Sequence, residues 1–207
     1  MAALTWFVVL PEHRPSLREG ETYGIDVSAH QGDIDWDAVA GDGIDFTYVK
    51  ATEGGDFDDD RFAANWAAAA GAGLDRGAYH FFTLCTPGAV QADHFLAALP
   101  PGDPGELAPA VDLELAGNCA ERPPAAAVRR ELDAFLAAVE GATDRTVVLY
   151  VGDDFEGAYP VRAELDRPLW TFRYLRRPSD DWSVWQVTGF AHVAGVAGRV
   201  DLDVRRG

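Results

Sequence analysis

Two acidic residues alternate with aliphatic ones in the run APAVDLEL: Asp112 and Glu114 lie among Val111, Leu113 and Leu115. In a β-strand, residues i and i+2 point to the same side about 6.6 Å apart, so the two acids share one face. Burying two carboxylates is costly unless they are paired, hydrogen-bonded or protonated, and clustering raises the pKa of at least one. A carboxyl group with a raised pKa can act as a general acid.

Strand-like runs alternate with about five helical runs along most of the chain, and the longest helical run lies within residues 123–144. In the last third, the stretches between strands are too short or too polar to predict good helices. The eight predicted strands lie within residues 23–30, 45–54, 75–83, 107–115, 145–152, 167–174, 183–189 and 199–204.

This alternation predicts an α/β fold, a single TIM-like barrel with a degenerate last third. Parallel strands need helical crossovers, and this number of βα units is best closed as a barrel. An open doubly wound sheet is the alternative, disfavoured because no glycine-rich phosphate turn follows the first strand. Residues 1–22 are predicted to be an N-terminal extension and residues 23–207 the catalytic barrel.

Acids also lie on the first and last predicted strands, at Asp26 and at Asp201 and Asp203. These strands are neighbours in a closed barrel, so Asp26 and Asp201 could share a wall opposite Asp112 and Glu114. A single acid more often binds an arginine or caps a helix, but four acids on three strands favour a catalytic site. Paired carboxylates are the working groups of glycoside hydrolysis.

Charge and hydropathy exclude several classes of partner. The net charge of -17 argues against nucleic-acid and anionic-membrane partners. No apolar run approaches the ~20 residues that span a bilayer. The opening MAALTWFVVLPEHRPS lacks a basic start and a small-residue cleavage site, so it is a poor secretory signal and the export route is open. We expect a monomer.

Metal and cofactor signatures are weak. The acidic run at residues 56–62 lacks the glycine and terminal glutamate of an EF-hand loop, and a solvated loop with Asp60 capping the next helix is the better interpretation. The five histidines show no zinc-site spacing. We therefore expect no metal and no cofactor. Cys85 and Cys119 follow adjacent strands, and we expect them to be close enough to bridge in an oxidising compartment; two separate apolar residues are the alternative.

Eight short motifs within residues 22–204 resemble, in order, those of the lysozymes of glycoside hydrolase family 25, the Chalaropsis-type N-acetylmuramidases. They are GIDVSAHQGDIDW, YVKATEG, GAYHFF, AVDLEL, LYVG, LWTFRY, VWQVT and GRVDLDV. The resemblance implies a (β/α)5β3 barrel that hydrolyses the β-1,4 bond between N-acetylmuramic acid and N-acetylglucosamine in peptidoglycan. Such a protein acts outside the cell or at the cell wall.

The resemblance also implies roles for individual residues. Glu114 is the expected proton donor, and Asp112 the residue that orients or stabilises the substrate's own N-acetyl group as it attacks the anomeric carbon. Asp26 and Asp201 are the supporting acids. The residues expected to bind substrate are Gln31, Lys50, Tyr79, Tyr150 and Trp170. Strand spacing alone does not separate this substrate-assisted route from direct carboxylate attack.

Two other functions remain open from the sequence. A chitinase-like glycosidase also uses acids on a fourth strand, but the chain has no DxxDxDxE run. A catalytically silent glycan-binding barrel would keep the groove, although retention of all four acids weighs against it.

Overall fold

The computed structural model describes residues 12–102, 106–179 and 181–207. Nine strands form one sheet: β1 (Glu21–Val27), β2 (Phe46–Glu53), β3 (Phe57–Asp58), β4 (Asp75–Phe81), β5 (Ala110–Leu113), β6 (Val148–Val151), β7 (Leu169–Phe172), β8 (Val184–Ala191) and β9 (Val200–Arg206). The helices are α1 (Trp36–Gly41), α2 (Phe62–Gly71), α3 (Gly88–Ala98), α4 (Ala125–Thr143) and α5 (Asp153–Ala158), with a 3-10 turn at Ala29–Gln31.

Eight of the strands close into a barrel, because β1 pairs with β2 on one side and with β9 on the other. The two-residue β3 only extends β2 as a hairpin. The barrel strands β1, β2 and β4 to β8 run parallel to one another, whereas β9 runs antiparallel to its two neighbours, β1 and β8. Five βα units followed by three strands confirm the predicted α/β barrel of (β/α)5β3 type.

The outer layer of the barrel buries the apolar face of each strand against helices. Val111 and Leu113 of β5 are fully buried in the same core cluster as Leu132 and Phe135 of α4. Their burial leaves the alternate β5 side chain, Asp112, directed to the barrel interior, as the i, i+2 pattern predicts.

The lower half of the barrel interior is filled by aromatic rings. A Cβ at Gly24 would lie 2.3 Å from the Phe46 ring, and one at Gly77 would lie 2.3 Å from the Tyr48 ring. Glycine at these two positions lets the rings pack flush against neighbouring strands. The open cavity of the barrel lies in the upper half, at the carboxyl ends of the parallel strands.

Residues 153–158 form the short helix α5 after β6. One local detail differs from the sequence expectations. The N-cap residue of α2 is Arg61, and no side chain caps this helix, so the predicted cap at Asp60 was wrong. The Asp59 carboxyl, just before the helix, accepts from the backbone N–H of Arg61 at 3.0 Å and from that of Ala29 at 2.8 Å.

Candidate active site

A cavity of about 270 Å³ opens at the upper end of the barrel. Seven strands or the loops that follow them contribute its walls, and no helix does. Its lining residues are Asp26, Tyr79, Asp112, Glu114, Tyr150, Trp170, Gln186 and Asp201. The four acids singled out in the sequence thus meet at one cavity, together with three of the five residues expected to bind substrate.

Asp112 and Glu114 lie at the end of β5. Burial raises the pKa of both carboxyls, and the charge of Glu114 raises the pKa of Asp112 further. The charge of Asp154 raises the pKa of Glu114, while the nearby Tyr150 hydroxyl opposes that rise. Asp112 Oδ1 is buried and has no hydrogen-bond partner in the described protein. One oxygen at the cavity is therefore ready to accept a donor from a bound molecule.

Asp26 and Asp201 face each other across the β1–β9 ladder, where they are register partners. Burial raises the pKa of Asp201 to about 8, with the charges of Asp26 and Glu114 adding to the effect. Burial also raises the pKa of Asp26 well above its usual range, and the neighbouring Asp203 adds to this rise. Asp201 reaches the mouth because β9 is antiparallel, so its first residues lie where the parallel strands end.

Three aromatic side chains form the cavity floor and wall. The Trp170 ring packs edge-on against Tyr150 and Tyr79, with centroids 5.4 Å and 6.4 Å apart. The Tyr150 hydroxyl donates to Gln186 Oε1 at 3.0 Å, and Gln186 Nε2 donates to Asp26 Oδ2 at 2.9 Å. Gln186 was missed as a site residue, although it lies within the motif VWQVT; its inward direction depends on the β8 register.

The structure does not bring Lys50 or Gln31 to the cavity lining. Lys50 Nζ pairs with Glu53 at 2.7 Å and lies over the Phe81 ring, from where its charge lowers the pKa of Asp112. Gln31 Oε1 accepts from the backbone N–H of Ser28 at 2.8 Å in a capping box. The spacing of Ser28 and Gln31 is the usual sequence signature of that box. Substrate contacts by Lys50 and Gln31 stay predictions.

Gly152 makes room for the Glu114 side chain. A Cβ at position 152 would lie 3.3 Å from Glu114 Cγ and 2.7 Å from Asp154 Oδ1. Asp154, at the start of α5, also accepts from the backbone N–H of Leu115 at 3.2 Å. The turn after β6 therefore fixes both the chain that follows Glu114 and the space that its side chain occupies.

A disulfide between Cys85 and Cys119, with Cα atoms 6.2 Å apart, joins the loops after β4 and β5. The predicted proximity of the two cysteines is confirmed. Beside the bridge, Asn118 Nδ2 donates to the carbonyl oxygens of Phe82 at 2.8 Å and Glu114 at 2.9 Å. The bridge and this amide hold the loop that begins at Glu114.

No group of three or more His, Cys, Asp or Glu in the described ranges is arranged to hold a metal ion. The same part of the chain contains no helix with the length and apolar character of a membrane span.

A closed (β/α)5β3 barrel with buried carboxyls at its mouth defines a class of carbohydrate-cleaving enzyme. Residues 25–196 match the family described as Glycosyl hydrolases family 25, and the chain belongs to that family. It is also 34% identical over 194 residues to Lysozyme M1 of Streptomyces globisporus, an alignment that covers 86% of this chain and 65% of that protein.

Solved structures agree over nearly the whole chain. A family 25 glycosyl hydrolase from Bacillus anthracis superposes with a TM-score of 0.83 at 29% identity, covering 95% of this chain and 94% of that one. A bacterial lysozyme from Streptomyces coelicolor superposes with a TM-score of 0.81 at 32% identity, covering 92% and 94%. The family resemblance in the sequence motifs is therefore confirmed.

Proposed function

We propose that the protein is a peptidoglycan hydrolase, an N-acetylmuramidase that cleaves the β-1,4 bond between N-acetylmuramic acid and N-acetylglucosamine. Family membership and the similarity to lysozymes support this substrate. The observation that carries the proposal is the meeting of Asp26, Asp112, Glu114 and Asp201 at one open cavity. In the described chain, none of the four makes an ion pair with arginine or lysine, so their charges are not neutralised structurally.

Glu114 is the proposed general acid. Burial raises its pKa, which favours the protonated carboxyl that a general acid needs, and its place at the cavity edge leaves it free to reach a glycosidic oxygen. Proton transfer from Glu114 to that oxygen lets the bond to the anomeric carbon break. A water molecule that later attacks the anomeric carbon returns a proton to Glu114.

Asp112 is the proposed partner of the substrate's acetamido group. Its buried Oδ1 lacks a donor in the described protein, and the N–H of an acetamido group is a donor of the right kind. Accepting that hydrogen bond would aim the acetamido oxygen at the anomeric carbon, where it displaces the leaving group. Asp26 and Asp201 would stabilise the positive charge that develops on the sugar, and Trp170, Tyr79 and Tyr150 would contact its ring.

Analysis of the products from purified peptidoglycan tests this function. We expect mass spectrometry to find new reducing ends at N-acetylmuramic acid, and we expect Glu114→Gln to produce them at least about 10²-fold more slowly. Reducing ends at N-acetylglucosamine, or cleavage of chitin in their place, would identify a different glycosidase. Binding without cleavage by the unaltered protein would instead indicate a silent glycan-binding barrel.

The cellular setting follows from the substrate. We infer action outside the cell or at the cell wall, because peptidoglycan lies there, and we infer a monomer, because one chain supplies all four acids of the cavity. Light scattering coupled to size-exclusion chromatography measures the molar mass in solution, and the mass of a dimer would contradict the monomer.

A further inference from the structure

Asp203 is an acid of the barrel that the proposed mechanism leaves unused. It lies on β9 two residues after Asp201, inside the barrel beneath the cavity, and it is 0% exposed. Its Oδ1 accepts from Trp170 Nε1 at 2.9 Å. Its Oδ2 is buried and accepts from no N–H group or hydroxyl of the described protein. A fully buried carboxylate with one unpaired oxygen is costly unless a proton neutralises it.

Neighbouring strands present few charges that could compensate Asp203. Arg205, two residues further along β9, pairs instead with Asp75 at 2.8 Å. Within the described residues, no arginine or lysine forms an ion pair with Asp203 or Asp26. The titratable and polar groups that face Asp203 are Asp26 on β1, Tyr48 on β2, Trp170 on β7, Gln186 on β8 and Asp201 on β9.

Asp203 lies opposite Gly24 of β1, which has no side chain, so the Asp203 carboxyl lies beside Asp26, the next inward-facing residue of β1, within hydrogen-bonding reach of its carboxyl. Two carboxylates have no hydrogen to share, so a hydrogen bond between them requires a proton on one of them. Each carboxyl also accepts one neutral donor from outside the pair: Gln186 Nε2 donates to Asp26 at 2.9 Å and Trp170 Nε1 donates to Asp203 at 2.9 Å. Two outer donors and one inner proton satisfy the pair with a single negative charge.

We propose that Asp26 and Asp203 share one proton, and that Asp203 is thereby a positioning residue that holds the Asp26 carboxyl and the Trp170 indole in place under the substrate. Any effect of Asp203 on turnover rests on the proposed hydrolase function, whereas the sharing of the proton does not. Burial and mutual repulsion raise the pKa of both carboxyls, as a shared proton requires.

Asp203→Asn tests the proposal, since an amide imitates a permanently protonated carboxyl. Its oxygen can accept from Trp170 and its nitrogen can donate to Asp26. An acid whose pKa is raised in the folded state stabilises the fold fully only below its unfolded pKa, and this stability is lost as pH rises through the folded pKa. The melting temperature of Asp203→Asn minus that of the unaltered protein should therefore increase from about pH 4 to about pH 8.

Asp93→Asn is the matched control, because it removes an exposed acid on α3. Its difference in melting temperature should vary little across this range. A difference for Asp203→Asn that is constant, or that falls with rising pH, would overturn the proposal. If Asp203→Asn does not fold, ¹³C NMR titration of the aspartate carboxyls in the unaltered protein decides. One Asp26 or Asp203 carboxyl must keep its proton at pH 7, and ionisation of both below about pH 5 would overturn the proposal.

Activity separates positioning from mere folding. With peptidoglycan as substrate, Asp203→Asn should keep kcat within about threefold of the unaltered enzyme at pH 7, and its kcat/KM should decline less on the alkaline side. Asp203→Leu should lose at least tenfold in kcat, because it cannot bind Asp26 or Trp170. Equal losses in the two variants, in molecules that melt normally, would exclude the positioning role. If the unaltered protein proves inactive, the melting and NMR measurements still test the proton.

Discussion

The two ends of the barrel treat acidic side chains in opposite ways. At the lower end, Asp75 pairs with Arg205 at 2.8 Å, and Glu140 receives two hydrogen bonds from Arg167 at 2.6 Å and 2.8 Å. At the upper end, the described residues supply no ion pair to the four cavity acids, whose pKa values rise on burial. The lower acids are paired with cations, whereas burial raises the pKa of the upper acids and favours their protonated forms. Only an acid that holds a proton near neutral pH can donate it in a reaction.

Replacing one acid from each end should show the contrast most strongly. Glu114→Gln should lower kcat by about 10²- to 10⁴-fold, the usual contribution of a general acid, without lowering the melting temperature. Glu140→Gln should leave kcat unchanged and lower the free energy of unfolding by about 1–3 kcal/mol, because it weakens the bonds to Arg167 and to the backbone N–H of Val147. Turnover of peptidoglycan and urea denaturation measure the two effects. A Glu114→Gln variant with the kcat of the unaltered protein would contradict the role of Glu114 as general acid.

The disulfide at the upper end should contribute the next largest effect. Cys85 and Cys119 are 34 residues apart, so the chain entropy of the closed loop corresponds to about 3–4 kcal/mol of stability. We expect the double variant Cys85→Ala, Cys119→Ala to lose about this amount in urea denaturation, and the unaltered protein to lose it in reducing agent. The double variant should be insensitive to reductant. A loss below about 1 kcal/mol would show that Asn118 and the loop packing already fix this region.

A smaller effect should come from adding one methyl group beside Glu114. Gly152→Ala should lower kcat by about tenfold. Its Cβ would lie too close to Glu114 Cγ and Asp154 Oδ1, so one of these two side chains must move. Gly157→Ala is the control, since a Cβ there meets no atom within 4 Å and Gly157 lies in α5, the helix that follows Gly152. The control should keep full activity and melt at the same or a slightly higher temperature. If both variants hydrolyse peptidoglycan with the same kcat, Gly152 does not govern the placement of Glu114.

The sequence predicts the barrel and its acids because both depend on short-range periodicity. Alternation in β5 separates Asp112 and Glu114 from Val111 and Leu113, and closure of the barrel places Asp26 beside Asp201. What the sequence does not show depends on contacts between distant strands. The direction of β9, the hydrogen bond from Gln186 to Asp26 and the space at Gly152 require the sheet register. Gln31 illustrates the converse, since its capping box with Ser28 follows from local sequence spacing, while its expected contact with substrate stays a prediction.

The rings of Phe46 and Tyr48, pressed against Gly24 and Gly77, act as a plug across the barrel. A polysaccharide therefore cannot pass through the barrel from one end to the other. The glycan chain must lie across the upper rim, with one glycosidic bond inside the cavity. Both fragments then have to leave by the way the polymer arrived. The rate of product release should accordingly depend on how tightly the rim binds each fragment, and shorter oligosaccharides should dissociate faster.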